Sequence, residues 1–412
     1  MKRRFNVFFF CFVFSVMLGG CASHMEGVML PKPGGIEKNR IISILAVTTR
    51  AASQDPRIMF SGQRSSKISF ADIGVGIPLQ HKTGEVEWPL KHDTNPDKYF
   101  TTAHAQTLSN RTFTQLLRKR MQQNHNGRVL VFVHGYNTRF EDAVYRLAQI
   151  TFDANAKAIP ILFTWPSQGK LLGYAYDRES ATFSRDGLEN LLQQLSRDNS
   201  VKDITILAHS MGNMVALDAL RQMAVRNRSI SPKIRNVLLA SPDVDLDVAR
   251  NLINGMGKNR PHIVLFTSQD DVALKFSARV WGNANRLGTI DATKEPYLSA
   301  LENQNIKVVD MTAIKTGDPL HHFKLASFPE IVRLLGPSIA SGQAMSSRPP
   351  GLGDRLGQTV SGVVNTAGNA AVVVLSAPIS VVDQDTRRNM SERVETLSPF
   401  QSSPQPIAEH GK

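Results

Sequence analysis

The chain has 412 residues, 42% apolar and 20% charged, with a formal net charge of +13. That is the composition of a globular protein with material for a large core. Both cysteines, Cys11 and Cys21, fall at the extreme N-terminus, so the rest of the chain excludes disulfides, zinc–thiolate sites and cysteine nucleophiles.

The chain opens on Lys2, Arg3 and Arg4 and continues through the apolar run "VFFFCFVFSVML", too short for a comfortable permanent span. It then reaches "LGGC", which resembles the lipobox of bacterial lipoproteins, with residues 1–20 as signal peptide and Cys21 as the lipidated N-terminus. Ala22 in place of Asp implies passage to the outer membrane, on its periplasmic side. The expected partner at this end is therefore the membrane, through the lipid on Cys21. Cleavage removes three basic residues and lowers the charge to +10. The remaining Lys and Arg are scattered without interleaved aromatics, so nucleic acid is not an expected partner.

After a tether over 21–39, "RIISILAVTTR" (40–50) and "SFADIGVGIPL" (69–79) read as strands. Residues 80–110 are polar and read as loop. "GRVLVFVHGYN" (127–137) contains a β-branched buried-strand run, "FEDAVYRLAQITFDANA" (140–156) has helical spacing, and "AIPILFTWPS" (158–167) is a strand. "LENLLQQLSRD" (188–198) is an amphipathic helix, and "DITILAHS" (203–210) is a strand that turns into a helix at Met211. Strands follow at 234–245, 262–271 and 306–313, and "ASFPEIVRLL" (326–335) closes the series. Strand alternating with helix predicts an α/β fold: a mostly parallel central sheet with helices on both faces, over residues 40–338. Residues 339–412 are a Gly/Ser/Pro/Ala-rich extension, with an apolar-faced helix expected at 359–377.

"ILAHSMGN" carries the chemistry. Ser210 sits where a strand turns into a helix, with Ala208 and Gly212 two residues to either side. A tight strand–turn–helix exposes such a serine above the sheet and demands small residues at those flanks. An acyl-transfer nucleophile needs preorganised N–H donors for the developing oxyanion. Met211 N–H, at the helix start, is one candidate, and Tyr136 N–H, after His134-Gly135, is the other. His209 is read as packing. A base and an acid should follow in the order Ser, Asp, His. His321 and His322 lie in a loop after the last strand, and His321 is favoured. Asp270 and Asp271 end one strand and Asp243 ends the strand before it; Asp271 is favoured, while Asp243 is as readily a helix cap.

"VTTR", "IGVGIPLQHKTGEVEWP", "VFVHGYN", "LAHSMGN", "LASPDVD", "SQDDVALKFS" and "LHHF" occur in one order. Over roughly residues 40–336 the chain resembles the bacterial α/β-hydrolases grouped as domain-of-unknown-function family 900. That resemblance implies an α/β-hydrolase fold with Ser210 as nucleophile, Asp271 as acid and His321 as base. The doubled Asp270-Asp271 and His321-His322 leave the alternatives Asp270, Asp243 and His322 open. The expectation is a serine hydrolase of carboxylic esters, requiring neither metal nor organic cofactor. An acyltransferase with the same triad, or an envelope lipoprotein using the fold as a binding module, are the alternatives.

Overall fold

The structure is a computed structural model and describes residues 24–32, 37 and 40–327. The lipobox with Cys21 and the extension with its expected 359–377 helix lie outside the described residues. Among the described residues, no helix is long and apolar enough to cross a membrane.

A nine-stranded sheet organises the described chain. Its strands are β1 (Ile41–Ala52), β2 (Phe60–Gly76), β3 (Thr101–Leu108), β4 (Arg128–Val133), β5 (Ile159–Thr164), β6 (Asp203–His209), β7 (Ile234–Ala240), β8 (His262–Thr267) and β9 (Lys307–Asp310). Their order is β3-β2-β1-β5-β4-β6-β7-β8-β9. The β1–β2 and β2–β3 pairs are antiparallel, and every pairing from β1–β5 to β8–β9 is parallel.

The strands read most easily are buried on both faces. In β4, Val129, Val131 and Val133 enter one core cluster while Leu130 and Phe132 enter the other, as the two-residue period of a strand dictates. The first cluster also takes apolar residues of α1 (Asn110–Asn124), α3 (Tyr174–Arg197), α4 (Gly212–Asn227) and α5 (Leu246–Asn254). The second takes Phe140, Val144, Leu147 and Ile150 of α2 (Phe140–Asp153). The mostly parallel sheet with helices on both faces is as expected. Each fully buried aliphatic or aromatic side chain contributes about 1.5–3 kcal/mol, so two continuous clusters hold the sheet rigid beneath its loops.

Two departures matter. Residues 80–110 are not all loop, because β3 forms there as the edge of the sheet. Only Thr101 and Thr102 of that strand are buried, so an edge open to solvent needs no apolar run. The helix expected at 188–198 begins at Tyr174. Its first half buries Asp177, Ser180 and Ser184, which carry no apolar stripe.

β4 lies at the switch point of the sheet, with β5 on one side and β6 on the other. Ligands of open α/β sheets bind outside the C-terminal ends of the strands at such a point. The ends of β4 and β6 carry His134-Gly135 and Ser210.

Candidate active site

Ser210 follows the last residue of β6 in the left-handed region, at φ 52°. A non-glycine residue there costs on the order of 1–3 kcal/mol and persists only where its surroundings fix it. Here Ser210 N–H donates to Ala240 O at 2.9 Å. Ser210 O accepts from Asn213 Nδ2 at 2.8 Å and from Asp243 N at 3.2 Å. Asn213 Nδ2 also donates to Ala240 O at 3.0 Å, which ties the turn to β7. A Cβ on Gly212 would stand 2.3 Å from His134 O and 2.6 Å from Val133 O, so backbone of β4 and its loop passes where a side chain would be. Ala208 is wholly buried.

The loop after β4 presses on the same turn. A Cβ on Gly135 would lie 2.7 Å from Ser210 Cβ and 2.9 Å from His209 Nδ1. Close approach therefore requires this glycine; the left-handed residue of the loop is Asn137, at φ 54°. His134 stacks on Trp165, with ring centroids 4.9 Å apart. Its Nδ1–H donates to Gly135 O at 2.9 Å and its Nε2 accepts from Trp165 N at 3.2 Å. Burial, with Arg50 nearby, lowers its pKa to about 3, so it is a neutral strut. Met211 is buried at the start of α4, and Tyr136 packs edge-on against Tyr174 at 5.0 Å. The two expected oxyanion donors thus flank Ser210 on adjoining elements.

Arg50, from the "VTTR" stretch of β1, lies wholly buried under this loop. It donates to Thr138 O at 2.7 Å, Ser167 O at 2.9 Å, Ser61 O at 3.2 Å and Thr164 Oγ1 at 2.9 Å. Burial lowers its pKa to about 10. Asp177 of α3 grips the same loop, accepting from Asn137 N at 3.2 Å, Gln168 N at 2.8 Å and Ser167 Oγ at 2.5 Å. Asp177 did not stand out in the sequence, and Arg50 did so only as the last residue of "VTTR", with no role attached. A lone Arg closing an apolar strand is usually read as reaching solvent.

The acid and base residues resolve into two parallel pairs. Asp271 Oδ2 accepts from His322 Nδ1 at 2.7 Å, and Asp270 Oδ2 contacts His321 Nδ1 at 2.6 Å. The expected partnership of Asp271 with His321 is not formed. The Asp271 side chain is 0% exposed and that of His322 16%, against 32% and 39% for Asp270 and His321. His322 also packs on His209, the residue before Ser210, with ring centroids 4.8 Å apart. His209 donates through Nε2 to His322 O at 3.2 Å, and its pKa lies well below the ordinary value through burial and the neighbouring His322. His209 is thus a neutral spacer between the turn and the histidine loop. Burial alone would lower the pKa of His322; the charge and hydrogen bond of Asp271, with Asp243 and Asp318 adding, raise it.

Asp243 is engaged elsewhere. It accepts from Tyr174 Oη at 2.7 Å and Ser277 Oγ at 2.6 Å, and it faces Arg286 Nε at 3.4 Å. It does not cap a helix. Asp245 caps α5, and Asp271 caps α6 (Val272–Val280). Two further residues build the histidine loop. Asp318 Oδ2 accepts from His322 N and Phe323 N, each at 2.7 Å. Lys324 Nζ, fully buried, donates to both oxygens of Asp270 at 2.7 and 2.9 Å and to Met311 O at 3.0 Å. Asp318-Pro319 is a turn signal that could have marked this scaffold.

Residues 109–338 match the family model described as an alpha/beta hydrolase of unknown function (DUF900). An uncharacterized protein, alr1448, from Nostoc sp. (strain PCC 7120) is 34% identical over 70 residues, 17% of this chain and 18% of that protein. The match thus spans less than a fifth of the relative's length. Among solved structures, the siderophore hydrolase EstB from Aspergillus nidulans has a TM-score of 0.33 at 12% identity, covering 77% of this chain and 100% of that one. A lipase-esterase related protein from Clostridium acetobutylicum has a TM-score of 0.30 at 12% identity, covering 53% and 96%. At those scores the likenesses are distant and neither bears on the chemistry.

Proposed function

Because the chain belongs to the family of alpha/beta hydrolases of unknown function, we propose that it hydrolyses carboxylic esters through Ser210, His322 and Asp271. The observation that carries this reading is the 2.7 Å pair of half-buried His322, through Nδ1, with buried Asp271, packed through His209 against the left-handed Ser210 turn. With Nδ1–H held by the carboxylate, His322 Nε2 is the basic atom. It takes the Ser210 Oγ proton as the oxygen attacks the ester carbonyl carbon. The oxyanion is stabilised by the N–H groups of Met211 and Tyr136, and the imidazolium by Asp271. His322 returns the proton to the departing alcohol, leaving an acyl-Ser210. Water then repeats the sequence and releases the carboxylic acid.

A fluorophosphonate probe tests the nucleophile. The purified wild type should be labelled. Ser210→Ala and His322→Ala should lose labelling while His321→Ala keeps it. A folded wild-type protein that resists the probe defeats the hydrolase reading. An acyl acceptor other than water, which would make this an acyltransferase, would show as ester exchange when alcohols are added.

We also propose that lipid on Cys21 holds the protein at the outer membrane, on the strength of the basic start, the apolar run and "LGGC". Cys21→Ser should leave an uncleaved precursor or a released protein. A single acyl chain binds only marginally, so firm retention requires the full lipid modification.

A further inference from the structure

Large apolar side chains lie exposed on segments that adjoin those carrying the site residues. Leu172 is 92% exposed, and Leu171, Phe276, Val280, Trp281 and Leu320 are exposed as well. They sit on three segments that touch. The short 3-10 turn Leu171–Gly173 meets the loop after β4, where Tyr136 donates its hydroxyl to Leu171 O. Tyr174, next in the chain, hydrogen bonds to Ser277 of α6 at 2.9 Å and lies 6.1 Å from the Trp281 ring. The histidine loop joins α6 through Val272 N to Leu320 O at 2.9 Å. All three segments adjoin residues of the site: the Leu171 turn meets Tyr136, which follows Gly135, α6 is capped by Asp271, and Leu320 precedes the two histidines.

The charges of α6 have one sign. The charged residues of Val272–Trp281 are Lys275 and Arg279, both exposed beside Phe276 and Val280. Across residues 170–179 the charged groups are Lys170, Asp177, Arg178 and Glu179; Asp177 is buried in the loop network, and in the histidine loop Asp318 accepts from His322 N and Phe323 N. Arg178 lies over the Trp281 ring at 4.9 Å. The inner face of α6 is anchored by Leu274 and Ser277, so its outer face is free to present cations and apolar groups together. An aqueous small-molecule site gains nothing from six exposed apolar side chains, which expose area normally hidden. Apolar groups interleaved with cations match a surface that is apolar within and anionic at its face.

We propose that this rim docks on an anionic phospholipid surface and presents a lipid-borne acyl ester to Ser210. The delivery half rests on the hydrolase reading; the docking half does not.

The test uses the full chain and the fluorescence of Trp281. The other tryptophans are positioned as silent: Trp165 is wholly buried, and Trp88 is stacked between His24 and Tyr145. Vesicles of phosphatidylglycerol mixed with bromine-labelled phosphatidylcholine should quench Trp281. Vesicles of bromine-labelled phosphatidylcholine alone should quench it far less. Quenching should vanish in Trp281→Phe and fall sharply in Leu172→Asp. Lys275→Gln and Arg279→Gln should each weaken vesicle binding about fivefold. Bromine quenches only a tryptophan that enters the bilayer, so attachment through the N-terminus does not imitate the signal.

A wild type unquenched on anionic vesicles overturns the proposal and leaves the rim to a protein partner. Quenching unmoved by the two Gln substitutions overturns it as well. Cooperative unfolding checks that each variant is folded. Quenching without fluorophosphonate labelling sinks only the hydrolase reading, and labelling without quenching sinks only the docking.

Discussion

Asp271 holds His322 with one carboxylate oxygen and the first turn of α6 with the other. Oδ2 accepts from His322 Nδ1 at 2.7 Å, and Oδ1 accepts from Leu274 N at 2.9 Å. The helix bearing the apolar rim and the proposed base are thus fixed by a single side chain, itself wholly buried.

Removing the base should separate the two histidines. His322→Ala should lower kcat/KM for a soluble ester about 10²–10⁴-fold, the range for loss of a general base. His321→Ala should cost less than about tenfold, since its ring serves only the exposed Asp270 pair. Steady-state kinetics on the two purified variants decides the matter; the reverse order would return the base to His321.

The pH profile carries the same assignment. The pKa of His322 is raised, chiefly by Asp271 working against burial. The base is lost by protonation as pH falls, so the acidic limb of kcat/KM should lie above the ordinary histidine value of 6.5. Asp271→Asn should move that limb to lower pH and cut the plateau. A limb that stays put in Asp271→Asn would mean that another group titrates.

Gly212→Ala should destabilise the fold by about 3 kcal/mol, the upper end for overpacking, because its Cβ would meet backbone oxygens that cannot swing aside. Urea unfolding measures this directly. A loss below ~0.5 kcal/mol would show that the turn relaxes without strain.

Arg50→Met should strand two loop carbonyls and that of Ser61 in β2 at about 1–3 kcal/mol each and release the segment around Thr138. Both unfolding free energy and the rate of fluorophosphonate labelling should fall, and Arg50→Lys should restore little, since one ammonium does not span those acceptors. Labelling at the wild-type rate in a folded Arg50→Met protein would remove Arg50 from the positioning of the oxyanion loop.

A second pH effect belongs to the "IPLQHKTGEVEWP" stretch. His81 is clasped by Glu87 through Nδ1 and by Asp153 through Nε2, both at 2.8 Å. Burial opposes its charge, but the two carboxylates raise its pKa from 6.5 to about 9. A raised folded pKa contributes stability that is complete below pH 6.5 and is lost as pH rises through about 9. Wild-type unfolding free energy should therefore decline across that window, and His81→Gln should flatten the decline. An unchanged slope in the variant would assign the decline to other groups.

The sequence was most legible where burial is simplest. β4 to β8 are covered on both faces and read as apolar runs, and the Ser210 turn declares itself through Ala208 and Gly212. β3 and the first half of α3 escaped because one faces solvent and the other buries Asp177, Ser180 and Ser184, so neither carries an apolar period. Adjacent residues such as His321 and His322 have no distinguishing period in a loop. Only their partners separate them, and those partners are 51 residues away in both cases.

That shared spacing makes the histidine loop a two-toothed zipper. Sliding it by one residue would join Asp271 to His321 and leave Asp270 and His322 without their complements. The teeth are held in step by Asp318, which takes the N–H groups of His322 and Phe323, and by Lys324, which grips Asp270. His321, His322, Asp318 and Lys324 all lie beyond β9, the final strand among the described residues. During synthesis, then, every strand and the Ser210 turn emerge before the residue proposed to activate it. On that proposal, a growing chain halted at residue 310 would hold Ser210 without His322 and should leave an ester intact. Reactivity would then wait for the segment after β9, and the incomplete chain would stay chemically silent.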